Sequence, residues 1–123
     1  MKKTKPILVV DDDPDIRDSI ATALELEGYP VLMAENGKVA LDLLVQLQKE
    51  ELPRCIMLDL MMPVMNGEEF LQAIGNESAE LKKIPVVVAS ANGSVLAAKL
   101  SATEFLKKPI DISDLYRIAE QYN

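Results

Sequence analysis

The chain has 123 residues, of which 49% are hydrophobic, so it has the size and the apolar content of one compact domain. Its formal net charge of −7 disfavours direct contact with nucleic acid phosphates and with anionic membrane surfaces. It contains no apolar run long enough to span a membrane and no signal peptide, so we expect a cytosolic protein. It also contains no histidine, so any chemistry must run on carboxylates, hydroxyls and lysines.

The first strand and helix are predicted from an apolar run and from the residues that follow it. Residues 7–10 are continuously apolar, which is typical of a strand buried on both faces. Asp13 and Pro14 then predict a helix start, with the aspartate as N-cap and proline at the first helical position. Ile16, Ile20, Ala23 and Leu24 recur at helical spacing, and Gly28 ends the helix.

The same alternation of strand and helix continues to the end of the chain. We predict strands over 31–34, 55–58, 84–89 and 104–107 and a turn at Asn36 and Gly37. Amphipathic helices are predicted where apolar residues recur at helical spacing: one carries Val39, Ala40, Leu43, Leu44 and Leu47, one carries Phe70, Leu71 and Ile74, and the last, opened by Asp111, carries Ile112, Leu115, Ile118 and Ala119. Residues 92–100 form a further predicted helical segment. Five strand-helix units predict a parallel sheet covered by helices on both faces. We therefore predict one doubly wound α/β domain over residues 1–123.

Polar side chains leave the carboxyl ends of four predicted strands, where ligands bind in sheets of this kind. They are Asp11 and Asp12 after the first strand, Asp59 after the third, Ser90 after the fourth and Lys108 after the fifth. Three carboxylates about 4 to 5 Å apart would repel by about 3 to 4 kcal/mol per pair at an effective dielectric of about 20, so the cluster requires a cation. Mg²⁺ (or Mn²⁺) prefers oxygen ligands and commonly bridges carboxylates to phosphoryl oxygens, which makes phosphate the predicted ligand class.

Four segments in chain order resemble the successive motifs of response-regulator receiver domains of two-component systems. They are residues 7–14, residues 58–63 followed by Gly67, residues 88–91 and residues 105–109. Each motif lies at a predicted strand end, and together they cover nearly the whole chain. The resemblance implies a flavodoxin-like fold with strand order 2-1-3-4-5 and five flanking helices.

The resemblance also implies a chemistry for the carboxylate cluster. Asp59 would accept a phosphoryl group from a phosphohistidine on a sensor histidine kinase or a histidine phosphotransfer protein. Asp12, Asp59 and the main-chain carbonyl of Met61 would hold the magnesium, with Asp11 acting mainly through bound water. Lys108 would pair with the carboxylate or phosphoryl oxygen. Such a domain assists its own phosphorylation and dephosphorylation but does not turn over an external substrate.

The implied output of phosphorylation is a switch in a protein-interaction surface. The hydroxyl of Ser90 would move towards the phosphoryl group, and Phe105 would swing into the space that it leaves. The affected surface would comprise the fourth helix, the fifth strand and the fifth helix, around residues 94–100, Phe105 and residues 111–121. The implied partner is a downstream protein target, and a phosphorylation-dependent dimer is one further expectation.

Three positions depart from the usual pattern of the family, and three other functions remain open. Val64 and Asn66 stand where glycine and aspartate are frequent, and Ser101 stands where glycine is frequent. A phosphohydrolase of the haloacid dehalogenase type could use Asp11 as nucleophile, although such enzymes need a larger core and a second acidic pair. A flavin or nucleotide binder of the same fold would need a Gly-, Ser- and Thr-rich phosphate loop, which the sequence lacks. A receiver-like adaptor that is never phosphorylated is the third alternative.

Overall fold

The structure, a computed structural model, describes residues 5–60, 62, 64–90 and 102–122. Five parallel strands form one sheet in the order β2-β1-β3-β4-β5. The strands are β1 (Ile7–Val10), β2 (Val31–Ala34), β3 (Cys55–Asp59), β4 (Val86–Ser90) and β5 (Glu104–Lys107). The predicted doubly wound architecture and its strand order are confirmed.

Helices connect these strands and cover both faces of the sheet. Those in the described part of the chain are α1 (Pro14–Leu26), α2 (Gly37–Gln46), α3 (Gly67–Glu77), the single-turn α4 (Ala79–Lys82) and α5 (Ile112–Gln121), with a short 3₁₀ helix over Lys49–Glu51. The sequence did not predict α4 or the 3₁₀ helix. The predicted helical segment over 92–100 lies outside the described residues. No helix in the described ranges is long and apolar enough to span a membrane.

Capping side chains fix where the first two helices begin. Asp13 accepts hydrogen bonds from the backbone N–H groups of Asp15 and Ile16 at 2.9 and 3.3 Å, as expected of an N-cap. The predicted turn at Asn36 and Gly37 is wrong. Asn36 is instead the N-cap of α2, because its side-chain oxygen accepts the N–H of Val39 at 2.9 Å and the helix begins at once.

The core forms two layers, one on each face of the sheet, because successive side chains of a strand point to opposite faces. Leu8, Val10, Ile56, Leu58 and Val88 pack towards α2 and α3. The alternate side chains of the same strands pack towards α1 and α5; they are Ile7, Val9, Cys55, Met57 and Val87. Burial raises the pKa of the Cys55 thiol to about 12, so Cys55 behaves as a small hydrophobe.

Three residues that we expected on the core faces of their helices are exposed, one of which is Val39 of α2, at 39%. The other two lie on α1 and α5. Ile16 is 37% exposed and Ile112 is 54% exposed. Both lie in the first turn of their helices, α1 and α5, and so stand beyond the carboxyl ends of the short strands. They line an apolar groove of about 620 Å³ between α1 and α5, which extends to Lys108.

A polar cluster attaches α5 to the edge strand β5. Arg117 donates a hydrogen bond to one carboxylate oxygen of Glu104, and the hydroxyl of Tyr122 donates to the other at 2.7 Å. The bond from Arg117 lowers the pKa of Glu104, so the carboxylate stays ionised. Burial, together with the bond to this carboxylate, raises the pKa of Tyr122 to about 12.

We predict that the contact between Tyr122 and Glu104 weakens in strong alkali. Because the folded pKa of Tyr122 lies near 12 and its ordinary value is 10.0, the stabilisation is complete at neutral pH, where Glu104 is ionised, and is lost as the pH rises towards 12. Alkaline titration of tyrosinate absorbance in the wild type and in Tyr122→Phe should differ by one phenol with a midpoint near 12. Tyr116→Phe, in the same helix, is the control, and a missing component near pH 10 in Tyr122→Phe would contradict the contact.

Candidate functional site

The predicted site residues come together because four strands end at the same edge of the sheet. Asp11 follows β1, Asp59 ends β3, Ser90 ends β4 and Lys108 follows β5. The strand register sets Val10 beside Leu58, Asp59 beside Ala89 and Ser90 beside Lys107. The edge between β1 and β3 is also where the strand order reverses, which is the usual ligand position in open α/β sheets.

Three carboxylates form the acidic part of this site. Asp11, Asp12 and Asp59 each place one carboxylate oxygen within 4.8 Å of the others. Asp11 and Asp59 are 4% and 7% exposed, whereas Asp12 faces solvent. At this separation each pair repels by about 3 to 4 kcal/mol for an effective dielectric of about 20. An all-oxygen cluster with one open side suits a hard divalent cation that keeps several of its waters.

Lys108 supplies the positive charge of the site. Its Nζ lies 3.2 Å from Asp11 Oδ2 and 3.4 Å from Asp59 Oδ1, and its side chain is 21% exposed. Burial alone would lower the pKa of this ammonium, but the carboxylates of Asp11 and Asp59 raise it above the ordinary value. Lys108 is therefore a permanent cation. Its N–H donates to the carbonyl of Ser90 at 3.0 Å, and the peptide bond between Lys108 and Pro109 is cis.

Asp11 is held by contacts to three other parts of the chain. Its N–H donates to the carbonyl of Ala34 at 3.1 Å, and its Oδ1 accepts the N–H of Asp13 at 3.0 Å. Arg17 donates from Nη1 to the carbonyl of Asp11 at 2.7 Å. Sequence reasoning missed Arg17, because nothing in its spacing indicates that a side chain in α1 returns to the end of β1.

The predicted switch residues lie on neighbouring strands. Ser90 is 2% exposed, and Phe105 is half-buried beside Val88, two residues before Ser90 on the same face of the sheet. Phe105 packs against the core layer beneath α2 and α3. Two other predicted positions, the carbonyl of Met61 and Ser101, lie outside the described residues.

Gly67 lets the start of α3 approach the end of β3. Its N–H donates to the carbonyl of Leu60 at 3.1 Å. A Cβ at this position would lie 2.8 Å from the carbonyl oxygen of Asp59 and 2.8 Å from the Cα of Leu60. Both contacts are with backbone, so a larger residue would have to displace the segment that carries Asp59.

The two departures from the family pattern in the β3–α3 loop have different consequences. Val64 has φ 66°, a left-handed conformation that is costly for a β-branched residue, and its side chain is 79% exposed. Asn66 is the N-cap of α3. It accepts the N–H of Glu69 at 2.9 Å, and its own N–H donates to the Glu69 carboxylate at 3.0 Å. Asparagine thus caps α3 as an aspartate would.

The doubly wound sheet and the site at its carboxyl edge define a flavodoxin-like domain whose pocket combines buried carboxylates with a lysine ammonium. The family model described as "Response regulator receiver domain" matches residues 7–120. The chain therefore belongs to the response regulator receiver domain family. Members of this family are phosphoacceptors in two-component signalling, so the chain is a signalling domain and the phosphohydrolase alternative is not favoured.

Individual relatives agree with this family. The chain is 37% identical over 120 residues to a protein of Leptolyngbya boryana named "Uncharacterized 14.6 kDa protein in sodA1 3'region", covering 94% of this chain and 88% of that protein. It is 35% identical over 113 residues to the transcriptional regulatory protein CpxR of Escherichia coli K12, covering 89% of this chain but only 45% of CpxR. The chemotaxis protein CheY4 of Vibrio cholerae has a similar structure, with a TM-score of 0.85, 27% identity and coverage of 98% and 99% of the two chains.

We predict that Gly67→Ala lowers the free energy of unfolding by about 1 to 3 kcal/mol, because the new methyl group would press on the backbone of Asp59 and Leu60. The matched control is Gly75→Ala in the same helix. A Cβ at Gly75 meets nothing within 4 Å, so this change should stabilise by about 0.5 to 1 kcal/mol. Urea denaturation followed by circular dichroism measures both, and equal midpoints for the two variants would show that the approach at Gly67 is not tight.

Proposed function

We propose that Asp59 accepts the phosphoryl group, and that the donor is a phosphohistidine on a sensor histidine kinase or a histidine phosphotransfer protein. The observation that supports this assignment is the position of the Asp59 carboxylate. It lies 3.4 Å from the Lys108 ammonium and within 4.8 Å of the carboxylates of Asp11 and Asp12. Asp59 thus lies beside the ammonium and the carboxylates whose charges phosphoryl transfer needs.

The transfer exchanges one bond to phosphorus for another. A carboxylate oxygen of Asp59 forms the new P–O bond while the P–N bond of the phosphohistidine breaks, and the bonding electrons leave with the imidazole, which takes a proton from water. The carboxylate is the ionised nucleophile, so no general base is needed and the missing histidine is no obstacle. Lys108 would balance the charge on the equatorial phosphoryl oxygens.

The proposed metal is Mg²⁺ or Mn²⁺, and the hydrogen bonds within the cluster support a division of labour among the carboxylates. Both oxygens of Asp11 already have partners, since Oδ1 accepts the N–H of Asp13 and Oδ2 faces Lys108. Asp11 therefore suits contact through water. Asp12, which is exposed, and Asp59 would be the direct ligands, with the Met61 carbonyl as a third. The metal would neutralise charge on the phosphoryl oxygens.

The proposed switch connects the phosphoryl group to β5. The Ser90 hydroxyl would donate to a phosphoryl oxygen, and Phe105 on the neighbouring strand would move towards the space that Ser90 leaves. The output surface would comprise residues 94–100, Phe105 and residues 111–121, and it would bind a downstream protein target or a second phosphorylated copy. Phosphate can shift this equilibrium only through contacts that differ between the two states. Hydrolysis of the aspartyl phosphate at the same site would end the signal.

We predict that incubation with acetyl phosphate and Mg²⁺ adds one phosphoryl group to the wild type. Asp59→Asn should show no adduct, since an amide oxygen is a poor nucleophile, and chelation of the metal should abolish the adduct in the wild type. Intact-mass spectrometry measures all of these. The control is Asp42→Asn, which removes an exposed carboxylate on α2 and should be phosphorylated normally. An adduct of equal yield on Asp59→Asn would reject Asp59 as the acceptor.

We also predict that Asp12→Ala weakens Mg²⁺ binding by more than about tenfold, because it removes the solvent-facing carboxylate of the cluster. Calorimetric titration of the unphosphorylated protein measures the affinity directly. Asp13→Ala is the matched control. Asp13 is the neighbouring carboxylate but caps α1, so its loss should reduce stability by about 1 kcal/mol and leave metal affinity unchanged. Normal metal binding by Asp12→Ala would refute the ligand assignment.

A further inference from the structure

A second cleft lies at the opposite edge of the sheet from the proposed phosphorylation site. It has a volume of about 410 Å³ and is lined by residues at the amino ends of β1, β3 and β4, by the 3₁₀ helix and α4, and by the end of α5; they include Lys5, Lys49, Arg54, Glu80 and Lys83. Because each strand has only four or five residues and rises about 3.3 Å per residue, the two edges are about 13 to 17 Å apart. A ligand in this cleft would leave the acidic site open.

The cleft is positively charged although the whole chain is negative. Among the solvent-accessible lining residues in the described part of the chain, three are lysines and one, Glu80, is anionic, which gives a formal charge of +2 in a chain of −7. The ion pair at the rim does little to neutralise this charge. Lys49 lies 3.8 Å from Glu80, and the two side chains are 72% and 45% exposed, so the pair is weak and screened by solvent.

The base of the cleft is rigid and partly apolar. Arg54 is 4% exposed, donates from Nε to the carbonyl of Lys5 at 2.8 Å and lies 4.9 Å from the centroid of the Tyr29 ring. Its charge is therefore fixed in position. Leu52 and Pro85 are half-buried beside it and present apolar surface, whereas Lys5, Lys49 and Lys83 are exposed at the rim.

We propose that this cleft is a docking site for a short acidic segment of a partner protein, in which carboxylates alternate with apolar side chains. Lysines at the rim attract carboxylates without demanding a fixed geometry, and the apolar base takes the side chains between them. A small inorganic anion would leave the apolar base uncovered. The site lies apart from the proposed phosphoacceptor, so it can hold a partner whether or not Asp59 is phosphorylated.

The test uses a short fluorescein-labelled peptide of alternating Glu and Leu, the same peptide with Gln in place of Glu, and inorganic triphosphate as competitor. Fluorescence anisotropy at low salt should show saturable binding of the Glu peptide and about tenfold weaker binding to the double variant Lys49→Glu, Lys83→Glu. The control is Lys38→Glu on α2, which should bind as the wild type does; because it reverses one charge, it is compared with each of the single variants Lys49→Glu and Lys83→Glu. Asp59→Asn should also bind normally, and the double variant should keep the circular dichroism spectrum and the urea midpoint of the wild type, which shows that it is folded.

Five outcomes would overturn the proposal. Absence of saturable binding by the Glu peptide would do so, as would an equal loss in Lys38→Glu, which would indicate diffuse attraction by surface lysines. Equal binding of the Gln peptide would show that charge is not recognised. If triphosphate displaces the peptide at similar concentration, the ligand of the cleft is a small anion. If the protein shows salt-sensitive self-association that the double variant abolishes, the occupant is a second copy of the chain.

Discussion

The rest of the site depends on the electrostatic balance among two buried carboxylates and one lysine. Asp11 and Asp59 are almost inaccessible to solvent, and Lys108 contacts both. One ammonium cannot neutralise two carboxylates, and Asp12 adds a third negative charge within 4.8 Å. A divalent cation would bring the total to neutrality. Replacing the carboxylate of Asp59 by an aspartyl phosphate would then add negative charge again, and the proposed hydrogen-bond donor for it is the hydroxyl of Ser90, at the end of the neighbouring strand β4.

This balance is held by backbone geometry more than by the charged side chains themselves. The N–H of Asp11 is fixed to β2, that of Lys108 to the carbonyl of Ser90, and the carbonyl of Asp59 lies against Gly67. Each charged residue is thus attached at the backbone to a neighbouring element. Moving the backbones of these residues apart would break those contacts, which favours relief of the repulsion by a bound cation.

Sequence reasoning predicted most of the fold because β1 and β3 are buried on both faces and read as unbroken apolar runs. It placed the start of β4 two residues early, at Ile84, because Ile84 is apolar like the strand residues that follow and is buried as they are. Pro85, however, has no N–H group to donate to a neighbouring strand. The polar residues of the site were predicted because the carboxyl ends of parallel strands meet at one edge of the sheet. The contact of Arg17 with Asp11 and the positive φ of Val64 were not, since both depend on three-dimensional loop paths that no periodic pattern encodes.

The net charge of −7 conceals an uneven distribution. Asp11, Asp12 and Asp59 lie at the carboxyl edge of the sheet, whereas Lys5, Lys49, Arg54 and Lys83 lie near its amino edge. In physiological salt the Debye length is about 8 Å, so the charges at the far edge of the sheet are largely screened and a partner senses mainly the edge that it faces. Phosphorylation and metal binding would change the charge at one edge and leave the other constant. A domain this small can therefore offer one surface that responds to the signal and another that does not.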